Sequence, residues 1–86
     1  MASYSLEIKR SAAKELAQLR PKDRGRVVAR IELLAEDPRP AGAEKLSGQE
    51  RYRVRQGDYR ILYEIENQAL RIIVVKIGHR REVYRV

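Results

Sequence analysis

Apolar and polar residues alternate over Tyr4-Ser5-Leu6-Glu7-Ile8, the period-two pattern of a first strand. The period then lengthens. Ala12, Leu16 and Leu19 recur at helical spacing, with Ser11 placed to act as N-cap. Pro21 breaks that helix and fits the first turn of a second. In the second helix Val27, Val28, Ile31, Leu34 and Ala35 form one apolar face, while Arg24, Arg26, Arg30 and Glu32 are displaced from it. Helix ends by Glu36, because Pro38 disfavours helical geometry at Asp37. Two helices joined by a short Arg20-to-Lys22 link read as an αα-hairpin. Asp37 to Glu50 reads as a loop punctuated by Pro38, Pro40, Gly42 and Gly48, anchored by Leu46. Three strands follow, about Tyr52–Arg55, Tyr59–Glu66 and Leu70–Ile77, the last after a turn at Asn67-Gln68. Ile72-Ile73-Val74-Val75 is continuously apolar, which predicts a central strand covered on both faces. The tail from Gly78 to Val86 is short, basic and expected to be extended.

The predicted fold is α+β: an N-terminal strand, an α-helical hairpin, then a three-strand antiparallel meander that completes a four-stranded sheet covered on one face by the helices. Residues 1–86 make one domain, without repeats, low-complexity tracts or linkers.

Within the meander, Arg51-Tyr52-Arg53-Val54-Arg55-Gln56-Gly57-Asp58-Tyr59-Arg60 packs four arginines around one glycine turn. Alternation puts Arg51, Arg53 and Arg55 on one face and Tyr52 and Val54 on the other. A two-residue Gly57-Asp58 loop of type II′ pairs Gln56 with Tyr59 and sets Arg55 opposite Arg60. Like charges opposed across strands are destabilising. A fold that keeps such a pair points to an anion between them, and the planar guanidinium fork suits phosphate. The better core candidates are Tyr52, Val54, Tyr59, Ile61, Tyr63 and Ile65, which leaves Arg53, Arg55 and Arg60 on the face away from the helices.

Charge sharpens this picture. The net charge is +7. Residues 1–50 hold 10 basic and 8 acidic groups, whereas residues 51–86 hold 9 basic and 4 acidic, and eight of those nine are Arg. That asymmetry favours oriented phosphate contacts over a merely solvated basic surface. There is no Cys, which excludes disulfides and thiolate metal sites and fits a reducing cytoplasm. No apolar run approaches membrane-spanning length, and Met1-Ala2-Ser3-Tyr4 has no signal-peptide pattern, so a cytoplasmic protein with no membrane partner is expected.

Taken in order, several segments carry a family resemblance: the Ala12-to-Leu19 helix, Asp37-Pro38-Arg39-Pro40, Lys45-Leu46-Ser47-Gly48, Tyr52-Arg53-Val54-Arg55, Gly57-Asp58-Tyr59-Arg60-Ile61-Leu62-Tyr63 and Ile77-Gly78-His79-Arg80-Arg81-Glu82-Val83-Tyr84. Through them nearly the whole chain resembles the RelE family of bacterial toxin–antitoxin toxins, within the RelE/ParE superfamily. The resemblance implies the toxin of a type II pair, a ribosome-dependent mRNA endoribonuclease (mRNA interferase) that inhibits translation. It also implies a cognate RelB-like antitoxin that wraps the toxin, with binding of operator DNA only as the toxin–antitoxin complex. Partners implied are therefore the antitoxin, through an acidic or amphipathic helical segment, and the ribosome with its mRNA. The reaction implied is attack of an RNA 2′-OH on the adjacent phosphate, which in principle needs neither metal nor cofactor.

The positions that match the family's catalytic surface are Arg53, Arg55, Arg60, Arg80 and Tyr84. Arginine stays protonated, so Arg53 and Arg55, standing where RelE itself has Lys, do not serve as general bases. Tyr84 is the candidate acid or base, against simple packing on the sheet edge. His79, the single histidine, and Glu82 are acid, base or orienting candidates, although a lone histidine at a strand end is more often structural. Arg51, Arg81 and Lys45 are candidate RNA-binding residues, and no metal ligands are expected. Tyr52, Tyr59 and Tyr63 are expected in the core rather than stacked on bases. The register of the last strand stays open. A two-residue turn puts Arg60 on a face with Ile73, Val75 and Ile77, while a three-residue Glu66-to-Gln68 turn flips the strand and brings Arg80 to the Arg60 face. Two readings compete with the nuclease: a ParE-like inhibitor of DNA gyrase on the same scaffold, and a non-catalytic RNA- or ribosome-binding module.

Overall fold

The computed structural model describes residues 3–46 and 50–79. Strand β1 (Ser5–Ile8) leads into helix α1 (Arg10–Ala17) and helix α2 (Pro21–Leu34). Strands β2 (Glu44–Leu46), β3 (Arg51–Gln56), β4 (Tyr59–Glu66) and β5 (Arg71–His79) follow. The sheet order is β1-β5-β4-β3-β2. β1 runs parallel to β5, and the other neighbours are antiparallel.

The sheet thus has five strands, not the four expected. The extra one, β2, lies in the segment read as a loop. It is three residues long and carries two exposed charged side chains, so it shows no apolar alternation. It pairs along β3, where it satisfies backbone groups that would otherwise form an open edge. Ser11 is also corrected: α1 starts at Arg10, its N-cap is Lys9, and Ser11 lies inside the helix. Pro21 does sit in the first turn of α2.

Both helices cover one face of the sheet. Ala12, Val27, Ile31 and Leu34 pack against Tyr52, Val54, Ile61, Tyr63, Ile65, Ile72, Val74 and Ile77. Arg24 ties the hairpin together by donating from Nη1 to the Ala17 carbonyl at 3.2 Å, filling one of the acceptors left over at the end of α1. Glu15 does comparable work on the sheet. β1 pairs with β5 only as far as Val74. Beyond it, Glu15 Oε1 accepts from the Ile77 backbone N–H at 3.0 Å, and Glu15 Oε2 accepts from Lys76 Nζ at 2.8 Å. One carboxylate therefore closes the edge that β1 leaves open. In a Glu15→Ala variant the Ile77 amide loses its acceptor. The expected cost is about 1–3 kcal/mol, and amide exchange at Ile77 should accelerate more than at Ile61, its partner inside the sheet.

The arginine hairpin forms as expected. Gln56 pairs with Tyr59 and Arg55 with Arg60. Gly57 has φ +61, and Asp58 is not among the positive-φ residues, which fits type II′ and excludes type I′. The next connection differs from both turns considered. Glu66 pairs with Arg71, so the loop is Asn67 to Leu70, four residues long, and Leu70 adopts φ 50. Leu62 then pairs with Lys76 but Tyr63 with Val74, so Val75 is an extra residue in a bulge. The bulge inverts the face of β5 part-way along. Ile73 shares the Arg60 face below it, and Lys76 and Gly78 stand opposite Leu62 and Arg60 above it. β5 lies between β1 and β4, one place from the centre of the sheet, and Ile73 and Val75 are only half-buried, so its second face is partly open.

Candidate functional site

The face turned away from the helices carries Arg51, Arg53 and Arg55 from β3 in register with Glu64, Leu62 and Arg60 from β4. Leu62, fully buried at the centre of this face, stands directly across from Arg53. Aliphatic arginine stems suit such a position, because they can cover apolar surface while the guanidinium reaches outward.

The guanidinium groups differ in how they are held. Arg51 donates from Nη2 and Nε to Glu64 Oε2 at 2.6 and 3.2 Å. Arg53 donates from Nη2 to Glu44 Oε2 at 3.0 Å. Among the described residues, no carboxylate lies within ion-pair distance of Arg55 or Arg60. Arg55 is exposed, whereas Arg60 is only 8% exposed, and its Nη1 is buried with no hydrogen-bond partner among the described residues. A buried charge without a partner is strongly unfavourable. On Arg60's other side the facing residue is Gly78, which adds no side chain to the face. The face therefore brings together a recessed guanidinium, whose Nη1 has no partner among the described residues, and the exposed Arg55 beside it, two cations that suit an anion.

Other candidates fall elsewhere. Lys45 pairs with Tyr52, on the helix-side face, and its Nζ lies 3.5 Å from Glu50 Oε1, so it does not join the arginine row. Arg51 is on the row but engaged by Glu64. His79 pairs with Tyr59, one position out of phase with Arg60 and Gly78, which puts it on the helix-side face as well. Its ring meets Tyr59 edge-on at 6.1 Å between centroids. These two residues line a cleft of about 410 Å³ together with Arg20, Asp23, Arg26 and Gln56, across the sheet from the arginines. Tyr59 donates to Asp23 Oδ2 at 3.2 Å. Burial first and the Asp23 carboxylate second push its phenol above the usual range, which suits it poorly to act as a base. Tyr52 and Tyr63 are core residues, as expected, stacked with centroids 5.8 Å apart. Arg80, Arg81, Glu82 and Tyr84 lie outside the described residues.

A second polar cluster holds the 37–43 loop. Arg39 donates to Tyr52 Oη at 3.0 Å and to Glu50 Oε2 at 3.0 Å, and its guanidinium lies 5.3 Å from the Tyr52 ring centroid. The bond from Arg39 holds the Glu50 carboxyl below its ordinary range. These groups satisfy one another, so the cluster is structural. Glu44 and Glu64, the carboxylates that engage the arginine row, were not singled out from sequence. The hairpin register implies the Arg51–Glu64 pairing, but nothing in the spacing of β2 signals Glu44.

The family model of the ParE toxin of type II toxin–antitoxin systems (parDE) matches residues 6–84. The chain belongs to this toxin family. Solved structures agree on the fold. The RelE–RelB complex of Pyrococcus horikoshii OT3 matches with a TM-score of 0.83 at 27% identity, over 98% of this chain and 99% of that one. The RelBE2 complex of Mycobacterium tuberculosis gives 0.82 at 24% identity, covering 93% and 94%. The intact E. coli RelBE complex gives 0.81 at 20% identity, covering 90% and 96%. A search of curated protein sequences finds no match. The toxin thus has the RelE/ParE fold, and among its described residues no helix is long and apolar enough to cross a membrane.

Proposed function

We propose that the toxin cleaves mRNA on the ribosome, with the scissile phosphate seated at Arg60 and Arg55 and flanked by Arg53. The observation that carries this reading is the buried Arg60 Nη1, which has no partner among the described residues, on a face where none of their carboxylates engages the adjacent arginine. Attack of a 2′-OH on phosphorus builds negative charge on the phosphoryl oxygens, and fixed cations in a recessed site stabilise that charge without rearranging. The three arginines remain protonated throughout, so their part is electrostatic. Arg80 completes the phosphate grip and Tyr84 exchanges the proton. With His79 across the sheet from Arg60, histidine catalysis is the weaker assignment. The cognate antitoxin is an acidic or amphipathic chain that covers the basic face or the groove beside the helices, as the neighbouring structures pair their RelE chains with RelB. The complex, rather than the toxin alone, binds operator DNA, and the toxin works in the cytoplasm.

The matched family model is that of ParE, and this favours a second reading, inhibition of DNA gyrase by the same scaffold. Primer extension on cellular mRNA after induction separates the two. Cuts positioned by codon are the expected result. Gyrase-linked DNA breaks without such cuts would transfer the chain to the second reading, and neither signal would leave a non-catalytic binding module.

A further inference from the structure

The arginines of β3 are not equally available to an incoming anion. Arg51 and Glu64 are each about one-third exposed, face one another across central strands and share two hydrogen bonds, so this pair belongs to the sheet. The Arg53 pair is built differently. Arg53's side chain is 20% exposed, while Glu44's is 67% exposed, stands on the three-residue edge strand and holds Arg53 by a single bond. A carboxylate this exposed gains little from its ion pair and is readily exchanged for another anion.

We infer that Glu44 is an internal competitor for the nucleic-acid backbone. In the free toxin its carboxylate occupies Arg53. When RNA lies along the arginine row, a phosphate takes that place and Glu44 turns to solvent. An RNA that reaches Arg53 alone exchanges one anion for another and gains almost nothing. A backbone that also reaches Arg55 and Arg60, where no carboxylate competes, binds with net gain. Glu44 therefore sets selectivity for a backbone aligned with the whole row and suppresses loose RNA binding. The inference rests on the RNA reading of the arginine face and adds a specificity-determining residue to it.

The probe is a short 2′-O-methyl RNA oligonucleotide, which cannot be cut by 2′-OH attack, titrated against the full toxin at several salt concentrations. Glu44→Gln should bind about two- to fivefold more tightly. The slope of log K against log salt should steepen by about 0.7, the increment for one further phosphate on a single strand. The gain should vanish in an Arg53→Ala background. Glu66→Gln makes the same change in net charge and loosens the hold on Arg71, which Glu66 engages about 20 Å along β4 from Arg60 and which Glu7 also pairs. It should alter affinity less than twofold. Equal tightening by Glu66→Gln, a gain that survives Arg53→Ala, or no gain at all would overturn the inference. Arg60→Ala separates this failure from failure of the RNA reading. If Arg60→Ala weakens binding while Glu44→Gln is inert, the competitor is wrong and the site stands. If Glu44→Gln remains coupled to Arg53 while Arg60→Ala is silent, Glu44 competes for a phosphate but Arg60 is not its neighbouring seat. If the wild-type toxin does not hold the oligonucleotide, both fall.

Discussion

Replacing Arg60 should separate stability from activity in opposite directions. Arg60→Met keeps an unbranched apolar stem under the arginine face but removes the charge. In the wild type that charge is buried, and Nη1 has no hydrogen-bond partner among the described residues. Leaving a polar group buried and unsatisfied costs about 1–3 kcal/mol, and more for a charged one. The variant is therefore expected to unfold at a higher temperature, by about 4–8 °C for each kcal/mol recovered in a domain of this size. Cleavage should fall by about 10²–10³-fold, the usual effect of deleting one preorganised donor to a developing oxyanion. Arg60→Lys retains a charge without the planar fork and should recover part of the rate. Thermal melts and single-turnover cleavage of ribosome-bound mRNA check the pair of effects. A residue placed for packing would behave otherwise: Arg60→Met would melt lower or unchanged and cut at the wild-type rate, and that result would remove Arg60 from the site.

The opposition of Arg55 and Arg60 was legible in the sequence because it depends on ten contiguous residues. A glycine that takes positive φ, a two-residue turn and strict alternation fix it with no information from the rest of the chain. The helical hairpin was legible for a similar reason: Pro21 and the spacing of Val27, Ile31 and Leu34 are local signals. What failed depends on pairing between distant segments. β2 is too short for periodicity, and it forms because β3 has an open edge. The register of Lys45 against Tyr52, which puts it on the helix-side face, is likewise a long-range pairing that its own segment does not signal. The turn at Asn67 to Leu70 uses a leucine at φ 50, which no turn-residue preference would select, and the bulge at Val75 then reverses the face of β5 within one strand. Neither the two-residue nor the three-residue turn gives the pairing found, though the face that each assigns to β5 holds on one side of the bulge. The same long-range pairing hid Glu44, so the sequence showed the arginine row but not which of its members is already occupied.

The largest effect on stability is expected at Tyr63. Its side chain is completely buried, stacked on Tyr52, and donates from the hydroxyl to the Pro38 carbonyl at 2.7 Å, which pins the loop after α2 to the centre of the sheet. Truncation to alanine removes an aromatic ring from the middle of the core and should cost about 3–5 kcal/mol. Domains of this kind are stable by about 5–15 kcal/mol, so Tyr63→Ala should lose a large part of its folded population or melt tens of degrees lower. Tyr63→Phe isolates the hydroxyl. It strands the Pro38 carbonyl and should cost about 1–2 kcal/mol near neutrality. Its signature appears at alkaline pH. Burial pushes the Tyr63 phenol up to about 12, against a slight pull downward from Arg30. Below about pH 10 both folded and unfolded phenols keep the proton, and the contribution to stability is complete. Between about 10 and 12 the unfolded phenol ionises while the folded one does not, so stability falls as pH rises through that window. Tyr63→Phe has no such proton to lose, and its denaturation midpoint should decline less steeply there. The slope that remains should include Tyr59, whose phenol is also raised. Denaturant melts of wild type and Tyr63→Phe at pH 8, 10 and 11.5 test this, and parallel curves across the three would show that the Tyr63 hydroxyl is not buried with its proton.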